Sequence, residues 1–326
     1  MELPENFFGE LVLRMGATAL GRRLETQVNH ASHFYGGFGR SRFHIENAEW
    51  FPWAVDFVLG ALRLSDAARR NALDYRLRRL TLRHPAVPEA FDGFTLLHLS
   101  DLHADGIPDK GEKLRRLLLA TPCDLALVTG DFRYLTYGEY KEATRAARDI
   151  LLCARHRHGL FGILGNHDFI EMLPGLEAAG MTILLNESAS LTRDGQTVSL
   201  LGVDDPHFYG AADLGSALRG VPQDAFTILM CHSPEYDAQA RQAGIGLFLC
   251  GHTHGGQICL PGGRALFINT PCPRRLAAGP WRSGDMFGHT SRGLGVSCFP
   301  ARFNCPPEAT LITLARSEGP PAWTPG

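Results

Sequence analysis

From Phe94 onward the chain alternates short apolar runs with polar stretches. The runs FTLLHLS, DLALVTG, LFGILGN, TILLN, VSLLGVDD, FTILMCH and GLFLCGH carry almost no polar alternation. Such runs suit strands covered on both faces. The more polar segments 110–120, 138–155, 171–179 and 234–242 predict helices between several of them. This rhythm is that of a layered α/β domain. Asp194-Gly195, set between two apolar runs, predicts a hairpin, so the sheet should be mixed. After Gly256 the chain is rich in Gly and Pro, and GLGVSCF and ATLITLA predict late antiparallel strands.

Residues 1–90 lack the rhythm and predict mainly helical segments, a possible membrane or substrate contact. We expect a division into this N-terminal extension, a main domain over 91–316 and a mobile tail over 317–326. WFPWAVDFVLGALRL is apolar and aromatic, but too short and too broken by Pro52 and Asp56 to span a bilayer. The arginine-rich run 63–83 that follows reads as a solvated helix face, with contact to an anionic membrane as the sharper alternative. The N-terminal sequence has neither a secretory pattern nor an apolar stretch after Arg22-Arg23. A cytoplasmic location is expected, with peripheral contact at the inner membrane face left open.

Composition adds exclusions. With 44% hydrophobic and 20% charged residues and a formal charge of -2, the chain is globular and is not expected to bind nucleic acid. Its eight cysteines include no CxxC pair, which removes support for a zinc ribbon or a thiol redox motif. Cys298 and Cys305 could pair only in an oxidising setting.

Five apolar runs end in residues that can hold a metal: Asp101-Leu102-His103, Gly130-Asp131, Gly165-Asn166-His167-Asp168, His232, and Gly251-His252-Thr253-His254. Taken singly, each has a plainer use: His103 or Asp131 could cap the next segment, and Asn166 could form a turn. Binding sites in α/β sheets gather beyond strand ends, so residues distant in sequence can converge there. Aspartate oxygen, imidazole nitrogen and amide oxygen together suit manganese, iron, zinc, nickel or cobalt better than calcium.

The ordered set DLH, GD, GNHD, CH and GHTH resembles the calcineurin-like metallophosphoesterase superfamily. GHTHGGQICLPG and SRGLGVSCFPARFNCPPEATLITL are similar to a bacterial branch of membrane-associated phosphodiesterases that includes enzymes splitting UDP-2,3-diacylglucosamine. The resemblance implies a four-layer α/β/β/α sandwich and two divalent metal ions, manganese foremost. It assigns Asp101, His103 and His254 to one ion, and Asn166, His232 and His252 to the other, with Asp131 bridging. It also implies His167 as general acid, with Asp168 orienting its imidazole. One departure is Tyr134, standing where the superfamily commonly has a further Asp, so support behind the ligands should differ.

The expected activity is hydrolysis of a phosphodiester or pyrophosphate bond by metal-activated hydroxide, with a lipid-linked or nucleotide-sugar substrate such as UDP-2,3-diacylglucosamine. A noncatalytic scaffold binding a protein partner is the alternative, and missing ligands would mark it. His98 reads as a core residue, while His207, His289 and Arg292 are secondary candidates for substrate contact. His30, His33, His44, His84, His156 and His158 lie outside the motifs.

Overall fold

The computed structural model describes residues 3–31, 50–297, 299 and 301–326. Four helices come first: α1 (Phe7–Met15), α2 (Ala17–Ala31), α3 (Trp50–Ala61) and α4 (Ser65–Ala72). Then follow β1 (Arg76–His84), β2 (Thr95–Leu99), α5 (Glu112–Leu119), β3 (Leu125–Val128), α6 (Lys141–Leu151), β4 (Leu160–Gly162), α7 (Leu173–Glu177) and β5 (Met181–Ile183). The second half holds β6 (Glu187–Arg193), β7 (Gln196–Gly202), α8 (Leu214–Ala217), β8 (Phe226–Met230), α9 (Asp237–Gln242) and β9 (Leu247–Cys250). It ends with the small pair β10 (Cys259–Leu260) and β11 (Arg264–Ala265), then β12 (Gly279–Ser283), β13 (Met286–Thr290), β14 (Glu308–Arg316) and β15 (Ala322–Pro325).

Two mixed sheets carry the architecture. One has seven strands in the order β15-β1-β14-β2-β3-β4-β5, the other six in the order β12-β13-β9-β8-β7-β6. Strands β2 to β5 run parallel, as do β7, β8, β9 and β13. Leu96, Leu127 and Ile312 of the first sheet meet Val198, Ile228 and Leu249 of the second in one core. The outer face of the first sheet is covered by α1, α5, α6 and α7, through Leu11, Leu114, Ala147 and Leu176. α8 and α9 cover the other through Leu214, Ala217 and Ala240. The result is the expected α/β/β/α sandwich. Burial on both faces explains why LALV, FTILM and LFLC lack alternation, whereas edge strand β6 alternates. The hairpin is also present, with φ of 48° at Asp194 and 75° at Gly195, as a tight turn with both central residues left-handed requires.

Four expectations need correction. The division at residue 90 falls inside the first sheet's framework, because β1 pairs with β14 from Arg76↔Glu308 to His84↔Arg316. The arginine run is therefore part helix and part strand. Leu80 and Leu82 supply a period of two that the intervening arginines and Thr81 obscure. The final residues are not a free tail: Ala322–Pro325 pairs antiparallel with β1, and Trp323 Nε1 donates to the Trp281 carbonyl at 3.1 Å. GLGVSCF forms no strand among its described residues. A side chain at Gly295 would meet the Leu102 carbonyl and His103 Cβ, so glycine lets this segment lie on the DLH turn. Cys298 lies outside the described residues, and so does the pairing considered for it.

Candidate metal centre

All five motifs lie just past the C-terminal ends of β2, β3, β4, β8 and β9, three from one sheet and two from the other. The sandwich brings these ends to one rim. The turns there are tight: φ is 50° at Asp101, 42° at His103, 58° at Asp131, 68° at His252 and 49° at His254. Non-glycine residues rarely adopt the left-handed region, and such strain clusters where a site demands it. In CGHTHGGQ, a side chain at Gly251 would strike Ser100 Oγ and the Asp101 carboxylate. Glycine there lets the β9 turn close onto the β2 turn, and the His252 N–H donates to Asp101 Oδ1 at 3.0 Å.

The structure brings all seven expected ligand residues together, each buried. Ligand atoms of Asp101, His103 and His254 lie within 4.8 Å of one another, and so do those of Asp131, His232 and His252. Asn166 Oδ1 lies 2.9 Å from His232 Nε2 and 2.8 Å from His252 Nδ1. Asp131 Oδ2 stands between the groups, 3.3 Å from His232 Nε2 and 3.7 Å from His103 Nε2.

Backbone carbonyls set the tautomers. His103 Nδ1 donates to the Arg133 carbonyl at 2.6 Å, and His232 Nδ1 to the Thr129 carbonyl at 2.7 Å. Each neutral ring therefore turns its Nε2 lone pair inward, toward Asp131 and other acceptors. Facing lone pairs and carboxylates repel unless a proton or a cation lies between them. The donor set thus fits divalent cations, and a third group, His103, Asp131 and His167, overlaps the other two around Asp131.

The electrostatics agree. Burial pushes the Asp131 carboxyl up, but His232, His167 and His103 outweigh it and hold it well below the usual range. Burial lowers His232, yet Asp131 and Asp101 drive it up to about 10, so positive charge is favoured at this position. His252 and His254 are held well below the ordinary value by burial and by neighbouring imidazoles. Burial, then Asp131, raises Asp101.

His167 is also at the rim, its Nε2 3.8 Å from Asp131 Oδ2 and its Nδ1 donating to the Tyr134 carbonyl at 2.8 Å. Asp168 does something other than expected. Its carboxylate accepts the N–H groups of Asp131, Phe132 and Gly165, each at 2.8 Å. It ties the GD and GNHD turns together, while a backbone carbonyl orients His167. Burial, then Asp131, pushes Asp168 up to about 6 against these bonds. Tyr134, the departure from the family pattern, supports His167 through its main chain.

His98 is buried in the core with His289, their Nδ1 atoms 2.9 Å apart, so His289 is no substrate contact. Arg292 pairs with buried Glu308 at 2.7 Å. His207 packs its ring 4.4 Å from that of His252 and meets Glu235 at 2.8 Å. His33 and His44 lie outside the described residues. Sequence reasoning missed Arg302, which is fully buried and donates to the carbonyls of Gly295, Arg292 and Cys305 and to His254 Nδ1 at 3.3 Å. It also missed Arg23, which reaches Asp168 from α2. Neither sits in a motif, so no local signal marks them.

The sequence profile of the calcineurin-like phosphoesterases matches residues 94–256, half of the chain. The metallophosphoesterase YkuE of Bacillus subtilis is 29% identical over 243 residues, covering 72% of this chain and 83% of that protein. Phosphodiesterase YaeI of Escherichia coli is 28% identical over 234 residues, covering 68% and 82%. Among solved structures, the NAD nucleotidase of Haemophilus influenzae superposes with a TM-score of 0.43 at 17% identity, over 62% of this chain and 45% of that one.

Proposed function

Since the chain belongs to the calcineurin-like phosphoesterase family, we propose that it hydrolyses a phosphodiester or pyrophosphate bond at a centre of two divalent cations, manganese foremost. The observation that carries this reading is the position of Asp131 Oδ2 between imidazoles whose protons are fixed on their outer nitrogens. Asp101, His103 and His254 would hold one ion, and Asn166, His232 and His252 the other, with Asp131 bridging. When bound, the ions supply a hydroxide nucleophile near neutral pH and neutralise charge on the phosphate. The protein's part is to fix the donors rigidly, through strained turns and backbone carbonyls. His167 protonates the leaving oxygen from Nε2, because Nδ1 is engaged by the Tyr134 carbonyl. Asp168 positions that loop relative to the bridging aspartate.

Similarity to the phosphodiesterase YaeI favours a diester over a monoester. A lipid-linked or nucleotide-sugar diphosphate such as UDP-2,3-diacylglucosamine fits this chemistry, with the protein held at the inner membrane face. Trp53 and Phe57 on α3 support that placement: they are 70% and 66% exposed, with their rings stacked at 5.9 Å. No helix among the described residues is long and apolar enough to cross a membrane. The test is hydrolysis by metal-reconstituted protein of a monoester, a diester, nucleotides and UDP-2,3-diacylglucosamine. Release of UMP from the last is expected, and no turnover of any substrate with both ions bound would overturn the reading.

A further inference from the structure

Helix α2 lies wholly outside the family-matched region, yet it grips the loop that follows His167. Arg23 is completely buried and pairs with the Asp204 carboxylate. Its Nη2 donates to the Asp168 carbonyl at 2.8 Å, and its guanidinium lies 4.0 Å over the ring of Tyr209. The Tyr209 hydroxyl donates to the same carbonyl at 3.2 Å. One turn on, Gln27 accepts the Ile170 N–H at 3.0 Å and donates to Glu171 at 2.7 Å. Residue 168 is therefore clamped from two sides, its carboxylate by the metal-centre turns and its carbonyl by α2.

Asp204 pairs directly with the buried Arg23 charge, and Asp205 adds to the attraction. Docking of the N-terminal helices has a separate anchor, since Arg14 on α1 binds Glu187 at 2.9 Å and the Ile183 carbonyl at 2.6 Å. The second arm of the Arg23 fork is thus left with a local task at the loop. We infer that Arg23 is a positioning residue for proton donation: through the Asp168 carbonyl it fixes the Asp168–Phe169 peptide, one residue beyond His167, and so the course of the loop that carries that imidazole to the leaving group. This rests on the proposed role of His167.

Arg23→Lys keeps the charge opposite Asp204 but lacks the planar fork that spans both partners. Arg23→Gln combined with Asp204→Asn removes the pair together, which guards against misfolding from a lone buried charge. Both are tested with bis(p-nitrophenyl) phosphate, whose leaving group departs readily, and with diphenyl phosphate, whose leaving group needs a proton more. Metal content is measured alongside, and Arg23→Lys is also placed in a His167→Ala background. Expected are parental metal content, a kcat loss of roughly 10-fold on the phenyl ester and at most about 2-fold on the nitrophenyl ester, and no further loss without His167. Equal losses on both esters, loss of metal, or an undiminished effect in the His167→Ala background would overturn the inference. If His167→Ala lowers the phenyl rate while both Arg23 variants leave it intact, the inference alone fails. If His167→Ala leaves that rate unchanged, the proton-donor reading fails and takes this one with it.

Discussion

Asp168→Asn separates two roles for one carboxylate. If Asp168 oriented the His167 imidazole, the variant would fold and bind metal normally and lose only turnover. The geometry predicts a different outcome. Three N–H groups converge on the carboxylate at 2.8 Å, two on Oδ2 from Asp131 and Gly165 and one on Oδ1 from Phe132. An amide can keep the two on its single oxygen, but its NH2 then faces the N–H of Phe132, donor against donor. One charge-assisted bond is lost, worth about 1.5–3 kcal/mol, and part of this is offset because burial and Asp131 oppose the charge that the variant removes. Urea unfolding of the metal-free protein should show this as a lower midpoint with an unchanged slope. Because the same bonds hold the Asp131 turn, affinity for both ions should fall in a titration followed by elemental analysis. Parental stability and metal affinity, with only a turnover loss that grows with a poorer leaving group, would refute the reasoning.

Asp131→Asn should weaken binding of both ions together, since Oδ2 lies between the two groups of donors; elemental analysis showing one ion retained at full occupancy would exclude a bridging position. Burial, then Arg292 and Arg78, holds His289 down at about 3, against 6.5 when unfolded. A depressed histidine contributes stability that is complete above pH 6.5 and is lost as pH falls toward 3, about 2 kcal/mol by pH 5. His289→Gln should therefore flatten the acid limb of stability against pH in denaturant titrations, and an unchanged limb would show the ring to be protonated in the fold. Trp53→Ser with Phe57→Ser should abolish sedimentation with anionic vesicles, whereas binding that survives would place membrane contact elsewhere.

The strands legible in the sequence are those whose physics is local. β3, β8 and β9 are covered on both faces, so each reads as an unbroken apolar run, and the two-residue turn at Asp194-Gly195 has few other conformations. β1 was hidden because arginines occupy its exposed positions, and its pairing with β14 joins residues more than two hundred apart. β15 was hidden by its flanking prolines and glycines. GLGVSCF has the apolar content of a strand, but its glycines are needed where the chain lies on the DLH turn.

The seven candidate ligands and His167 were visible because each needs a particular donor atom directly after a buried strand, which leaves a short motif of fixed type and order. What supports them is not coded that way. The Arg133, Thr129 and Tyr134 carbonyls are groups that every residue has, so nothing in the sequence distinguishes them. Asp168 stands beside His167 in the chain, and only the fold turns its carboxylate toward the backbone of Asp131 and Gly165 instead. Arg23 and Arg302 act across gaps of 145 and 48 residues. The sequence by itself determined which atoms could bind metal and in what order they occur along the chain. The tertiary structure alone decided their spacing, their tautomers and the groups that hold them, because those depend on contacts between segments that share no local pattern.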